Sequence, residues 1–194
     1  RAVRLVPSRV GDPASARLFA RPLRAVAGRL DTWEKRGFLV RDVEPALYLH
    51  EYTTSGVTVR GLVGALDVSR RATDPAQRAV LPHEGIYPAQ ADDLADRMHQ
   101  MALNPAPILL VQESPAALRR LLTEQRRARE PVSFVDRGGH THRIWTLADP
   151  DVLSAIARLL APTTATTADG HHRYAAYLRL QQRRPGGGYD RGLA

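Results

Sequence analysis

The sequence predicts an α+β fold, in which a mixed sheet with hairpins is flanked by helices. Two pairs of β-forming segments are joined by short glycine-containing turns, Thr54-Ser55-Gly56 and Arg137-Gly138-Gly139, as in β-hairpins. Other apolar segments alternate with stretches of helical periodicity, so the sheet also needs helical crossovers. The 194 residues, 43% of them hydrophobic, are enough to bury a core.

Helical periodicity is found in five parts of the chain: residues 13–36, 89–103, 115–129, 150–160 and the segment that follows Gly170. Flanking residues support several of these ends. Gly37 suits a C-terminal cap, and Asp149 followed by Pro150 suits an N-terminal cap and first turn. Met98 and Met101 lie on one face of the second helix, which predicts that both belong to the core.

Strands are predicted at residues 1–7, 46–53, 57–69, 108–111, 132–136, 140–146 and 163–168. The run at 108–111 is wholly apolar, which is typical of a central strand. We expect one α+β domain over residues 1–194, with a sub-domain boundary near 70–82 as the alternative. The last three residues look like the start of an element, so a fragment of a longer protein is also expected.

The composition argues against several classes of protein. The net charge is +8, but Lys35 is the only lysine among 28 basic residues, and the arginines are scattered or lie on a predicted helix face. This usage makes a nucleic-acid partner unlikely on sequence grounds, since no aromatic residues interleave with the basic ones. Cysteine is absent, and no apolar run reaches the length of a membrane helix. A soluble, cytoplasmic protein without membrane contact is therefore expected.

The strongest candidate site is the segment Asp169-Gly170-His171-His172-Arg173. A glycine between a strand and a helix allows a tight turn, and the first helical turn offers free N–H groups to an anion. Arg173 adds a fork that matches phosphate oxygens, and the two histidines can donate or move protons. Asp169 is expected to cap the helix, orient a histidine or hold Mg²⁺. In the alternative interpretation, Asp169 is only a cap and the histidines are surface residues.

Two further groups are candidates. His83 and Glu84 are adjacent after a loop, so Glu84 is a candidate general base and His83 its partner, or both are simply exposed. His140 and His142 alternate along a strand and point to one face, a spacing that holds a metal or forms a polar outer face. Trp145 lies on the opposite face and is predicted to be core.

The segment ADGHHRYAAYLRL, residues 168–180, resembles the signature of the family called domain of unknown function 1015. Three other segments resemble the same family in order: EPALYLHEY at 44–52, LPHEGIYPAQADDLADRMHQMALNPAPILLV at 81–111 and VDRGGHTHRIWTLADPDVL at 135–153. The family's proteins are about twice as long, so the resemblance implies an N-terminal half. The chain departs from the family at Gly85-Ile86, where Lys-Thr is usual, and at Asp93-Leu94, where Asp-Arg is usual.

The Gly-His-His-Arg turn is also similar to the box of ParB partition proteins, sulfiredoxins and ParB-like serine kinases, which implies nucleotide binding. Three hypotheses follow. The first is an enzyme that binds ATP or a related nucleotide at residues 169–173 and transfers phosphate to a small-molecule substrate, such as an amino-acid hydroxyl. Glu84, His83 and His172 would be catalytic, and Asp169 would hold Mg²⁺. The second is a ParB-like nucleotide-sensing module without catalysis, and the third is an inactive structural fragment. The oligomeric state stays open.

Overall fold

The computed structural model describes residues 24–104 and 106–194. Its helices are α1 (Arg24–Lys35), α2 (Pro88–Met101), α3 (Ala116–Arg127), α4 (Pro150–Leu160) and α5 (His171–Arg183). The predicted strand at 1–7 and the first part of the predicted helix at 13–36 lie outside the described residues. The remaining helix predictions agree with the structure to within a few residues at each end.

The strands are β1 (Leu47–Thr54), β2 (Val57–Val63), β3 (Ala65–Asp67), β4 (Val80–Leu81), β5 (Leu109–Gln112), β6 (Val132–Val135), β7 (Thr141–Leu147), β8 (Ala165–Asp169) and β9 (Arg191–Leu193). They form a four-stranded sheet in the order β2-β1-β7-β6, a three-stranded sheet in the order β4-β8-β5 and a two-stranded sheet of β3 and β9. Antiparallel and parallel pairs occur together with helices, which confirms the predicted α+β class.

The four-stranded sheet is antiparallel and contains both predicted hairpins, β1–β2 and β6–β7. Alternate residues face opposite sides of each strand. On one side, Leu49, Trp145 and Leu147 are buried against Leu118 of α3 and Ile156 of α4. Trp145 is therefore core, as predicted, and its indole N–H donates to the Arg129 carbonyl at 3.0 Å.

A second apolar cluster lies between α2 and α5 and the smaller sheets. Its buried members are Val68, Ala95, Met98, Ile108, Ala176, Tyr177 and Leu180. Met98 is 3% exposed and Met101 4% exposed, so both predicted core methionines are buried. This cluster fixes α5, the helix that carries the candidate site.

Two strand predictions were wrong. The segment 57–69 is not one strand, because it leaves the four-stranded sheet at Gly64 and then pairs with β9. A side chain at Gly64 would collide with Leu47, so glycine suits the point where the chain changes sheets. The apolar run near 108–111 forms an edge strand instead of a central one, and Leu109 and Val111 are each 56% exposed.

Within the described ranges, the structure has no helix of the length and apolar character that crossing a membrane requires.

Candidate functional site

The candidate site is built around the turn between β8 and α5. Gly170 is the N-cap of α5 and has a left-handed backbone, with φ 91° and ψ 28°. A Cβ added there would lie 2.8 Å from the Arg173 guanidinium and 2.9 Å from Cγ2 of Ile108. Both the backbone and the surroundings therefore require glycine. The prediction that Gly170 leads directly from a strand into a helix is confirmed.

The first turn of α5 has no side-chain cap. The first bond of the helix runs from the Tyr174 N–H to the Gly170 carbonyl, at 2.8 Å. The N–H groups before Tyr174 thus have no acceptor within the helix, and the helix dipole adds positive potential there. This end of α5 has the electrostatic character of an anion site.

Strand pairing brings the His83–Glu84 segment to this turn. β4 is parallel to β8, with Val80 opposite Ala165 and Leu81 opposite Thr166. The segments that follow the two strands therefore leave the sheet at the same end. His83 and Glu84 therefore run beside the start of α5. The His83 ring nitrogen Nδ1 contacts the Thr167 carbonyl, and the His83 N–H faces Nε2 of His171 at 3.4 Å.

His171 is the buried centre of this group. Its side chain is only 3% exposed, and its ring meets the His83 ring edge-on with 4.4 Å between centroids. Nδ1 of His171 lies 2.9 Å from Oε1 of Glu84, yet this nitrogen has no hydrogen bond among the described residues. The distance between the two atoms is short enough for a hydrogen bond, so the angle is what prevents one: the carboxylate must lie off the direction in which Nδ1 donates. His83, Glu84 and His171 place three metal-type ligand atoms within 4.8 Å of one another.

His172 turns to a different neighbour. Its Nε2 accepts the N–H of Tyr87 at 3.0 Å, and the two rings stack with centroids 5.8 Å apart and planes 9° apart. Tyr87 is 70% exposed, so the stack lies at the surface. His172 therefore shares the turn with His171 but contacts the segment after Glu84 instead of the buried ring. Sequence reasoning missed Tyr87, because nothing near it marks a functional residue.

Asp169 and Arg173 form an ion pair one turn apart. The expectation that Asp169 caps α5 was wrong, because Asp169 still pairs with Leu109 as the last residue of β8 and Gly170 takes the cap position. Asp169 is exposed, and it is absent from the groups of three ligand-type side chains found among the described residues. The Arg173 Nε atom is buried without a hydrogen-bond partner in the same part of the chain.

His140 and His142 come together with Asp136 at the tip of the β6–β7 hairpin, away from the α5 turn in sequence. The side chain and backbone of His140 hold the pKa of the Asp136 carboxyl well below its usual value. Asp136 belongs to the family-like segment 135–153, but no ligand role was predicted for it, and its place before two glycines is typical of a turn residue. A shallow depression of about 360 Å³ on α3, lined by Arg119, Arg120 and Arg127 among others, includes none of the predicted site residues.

The family model described as "Protein of unknown function (DUF1015)" matches residues 2–192. Comparison with curated proteins and with solved structures gave no match.

Proposed function

Because the chain belongs to the DUF1015 family of proteins of unknown function, we propose a function from the geometry of the site itself. We propose that the start of α5 binds the phosphate groups of ATP or a related nucleotide, and that the protein transfers phosphate to a small metabolite. The observation that carries this proposal is the convergence of His83 and Glu84 on the uncapped first turn of α5.

The phosphate-binding part of the proposal rests on three sources of positive electrostatic potential. The free N–H groups of the first turn, the helix dipole and the guanidinium of Arg173 all lie at Gly170. The buried Nε of Arg173 has no hydrogen-bond partner in residues 24–104 and 106–194, and rotation of the side chain away from Asp169 would present this donor to a phosphate oxygen. Glycine at the cap lets a ligand approach the backbone closely.

The catalytic part rests on the buried His171 and the exposed Glu84. Glu84 would accept the proton of an acceptor hydroxyl directly, with Nδ1 of His171 beside its carboxylate at 2.9 Å. The hydroxyl oxygen then bonds to the terminal phosphorus while the bond from that phosphorus to the nucleotide's bridging oxygen breaks, and the nucleoside diphosphate leaves. Asp169 is an exposed carboxylate at the same turn and would bind Mg²⁺. Mg²⁺ usually takes one or two carboxylate ligands from a protein and its other ligands from water and phosphate oxygens.

One observation favours a second candidate, a ParB-like nucleotide-sensing module. Arg173 already has a carboxylate partner in Asp169, and a bound phosphate would compete for the same guanidinium. Exchange of Asp169 for a phosphate would change the turn without any chemistry. Turnover separates the two candidates, since only the enzyme converts nucleotide in the presence of a hydroxyl acceptor.

Calorimetry with ATP, ADP and inorganic phosphate tests the binding step. We expect Arg173→Ala to weaken nucleotide binding by roughly 30-fold, the loss of one charged contact to phosphate. The matched control is Arg97→Ala, because Arg97 forms a similar pair with Asp93, at 2.7 Å, on α2. Unchanged affinity in Arg173→Ala, or no binding by the wild-type chain at millimolar nucleotide, would contradict the proposal.

Glu84→Gln tests the catalytic step in the same chain. We expect it to abolish phosphate transfer to a panel of hydroxyl compounds while leaving nucleotide affinity within a few-fold of the wild type. Phosphorus NMR follows both the nucleotide and any phosphorylated product. If the wild type binds nucleotide but produces no phosphorylated compound, the sensing module is the correct candidate.

A further inference from the structure

The hairpin of β6 and β7 carries a group of ligand-type side chains that the proposed function does not use. We propose that Asp136, His140 and His142 bind a divalent transition metal ion of the Zn²⁺ class. Their ligand atoms lie within 4.8 Å of one another, and all three side chains are partly accessible to solvent. An ion can therefore enter without any change in the fold.

The turn between the strands fixes the carboxylate in place. Oδ1 of Asp136 accepts the N–H groups of Gly138 and His140, both at 2.8 Å. This leaves Oδ2 directed at the imidazoles, 3.0 Å from Nδ1 of His140 and 3.3 Å from Nε2 of His142. One oxygen thus holds the turn while the other is directed at both histidine nitrogens.

The spacing of these atoms suits a four-coordinate ion. Ligands bound at the distances typical of Zn²⁺ lie about 3.3 Å from each other along the edge of a tetrahedron. The two oxygen–nitrogen distances, 3.0 and 3.3 Å, are close to that edge. Without an ion, the contacts of Asp136 with His140 and His142 are hydrogen bonds. A bound ion would take the place of the hydrogen atoms in these bonds. Two imidazoles and one carboxylate leave a fourth position for water or a substrate, as in catalytic zinc sites.

His50 restrains His142, the most buried of the three ligands. Its Nδ1 lies 2.9 Å from Nε2 of His50 on β1, so the nitrogen that does not face Asp136 is already hydrogen-bonded. Metal-binding histidines are usually oriented in this way through their other nitrogen. Phe134 stacks on the His142 ring, with centroids 4.8 Å apart and planes 6° apart.

A turn that only needed reinforcement would not require this arrangement. The two backbone N–H groups already hold the Asp136 carboxylate, yet His140 and His142 also contact it, and His50 contacts the other nitrogen of His142. They are three of the seven histidines in the sequence. Their approach from the turn and from strands β1 and β7 is the reason to propose a metal site and not a turn alone.

The experiment is Zn²⁺ titration by calorimetry of the full chain without an affinity tag, with Co²⁺ absorption as the spectroscopic readout. We expect the Asp136 site to take one ion and to give Co²⁺ the strong visible bands of four-coordinate geometry. Loss of a hydrogen-bond partner of a metal ligand weakens metal binding by roughly 10- to 100-fold. His140→Ala and Asp136→Asn each remove a ligand itself, so each should weaken this binding by at least that factor. Asp136→Asn keeps the oxygen that accepts the turn N–H groups, so it tests the ligand with little effect on the hairpin.

The control variant is Glu84→Gln, because His83, Glu84 and His171 form the other group of ligand-type side chains found in the described residues. Loss of the Co²⁺ bands in His140→Ala but not in Glu84→Gln supports the proposal. Absence of Zn²⁺ binding in the wild type, or equal binding in the wild type and both hairpin variants, overturns it. Circular dichroism of each variant identifies one that has lost its fold, and in that case the other hairpin variant decides.

Discussion

At the scale of single residues, Gly170 is the position on which the candidate site depends most. Alanine there would have to adopt a left-handed backbone and would also contact Ile108 and Arg173. We expect Gly170→Ala to lower the free energy of unfolding by about 2–3 kcal/mol, measured by urea denaturation. Gly56→Ala is the matched control, because Gly56 has φ 78° but open space around it, and about 1 kcal/mol is expected. Equal losses in the two variants would show that the contacts around Gly170 do not matter.

Arg173 allows a second prediction at this scale. Its partner Asp169 is 71% exposed, and exposed ion pairs contribute about 0–1 kcal/mol. The melting temperature of ligand-free Arg173→Ala should therefore change no more than that of Arg97→Ala, measured by differential scanning calorimetry. A drop of several degrees in Arg173→Ala alone would make Arg173 a structural residue and weaken the case for a phosphate site.

The residue types of the α5 turn could be predicted, but their partners could not. Gly170 and the two histidines stand out in the sequence because glycine and polar residues at a strand end have a local meaning. The contact between Glu84 and His171 depends instead on the pairing of β4 with β8, which joins parts of the chain far apart in sequence. The contact of Asp136 with His142 depends on formation of the β6–β7 hairpin, and that of His50 with His142 on the pairing of β1 with β7, so neither contact was predicted.

At the scale of elements, the buried Glu51 connects the strands to a helix. Its side chain is 5% exposed and pairs with Arg60 of β2 at 2.5 Å, Arg126 of α3 at 3.1 Å and Arg143 of β7 at 3.2 Å. Burial raises the pKa of the Glu51 carboxyl, but its bonds to the arginines outweigh burial and hold the pKa below its usual value. The ionised carboxylate is therefore the form that stabilises this junction.

Glu51→Gln should lower the free energy of unfolding at pH 7 by about 1–3 kcal/mol, less than for a fully buried pair because the arginines are partly exposed. The folded pKa is below the unfolded one, so the contribution of Glu51 is complete above about pH 5 and is lost as the pH falls through the folded pKa. The difference between wild type and variant should therefore shrink below about pH 4. Urea unfolding at both pH values measures it, and a difference independent of pH would contradict the assignment.

Elements with local signals were predicted well, whereas elements defined by pairing were not. Asp149 caps α4 as expected, since its carboxylate accepts the N–H groups of Asp151 and Val152. Gly64 alone does not predict the break, because Gly61 lies within β2 without ending it and the change of partner to β9 is a long-range event. The same holds for β5, whose apolar sequence does not reveal that it lies at an edge.

At the scale of the whole molecule, two apolar cores are interleaved along the chain. One core contains Leu49, Leu147 and Ile156, and the other contains Met98 and Tyr177 among its members. The chain passes from one core to the other at Gly64, between β5 and α3, and between α4 and β8. Because such connections recur along the sequence, we expect the two cores to unfold as one cooperative unit and not as two sub-domains.

Ile156→Ala tests this cooperativity. Ile156 is fully buried between α4 and the four-stranded sheet, so its truncation should lower the free energy of unfolding by about 2–5 kcal/mol. If the cores unfold together, the amide protons of α5, which belongs to the other core, should lose the same amount of protection against hydrogen exchange. Leu180→Ala is the reciprocal variant, because Leu180 lies on α5 and should lower the protection of β1 and β7. Loss of protection confined to the mutated core in both variants would instead divide the chain into sub-domains. The α5 site and the Asp136 hairpin would then lie in units that fold separately.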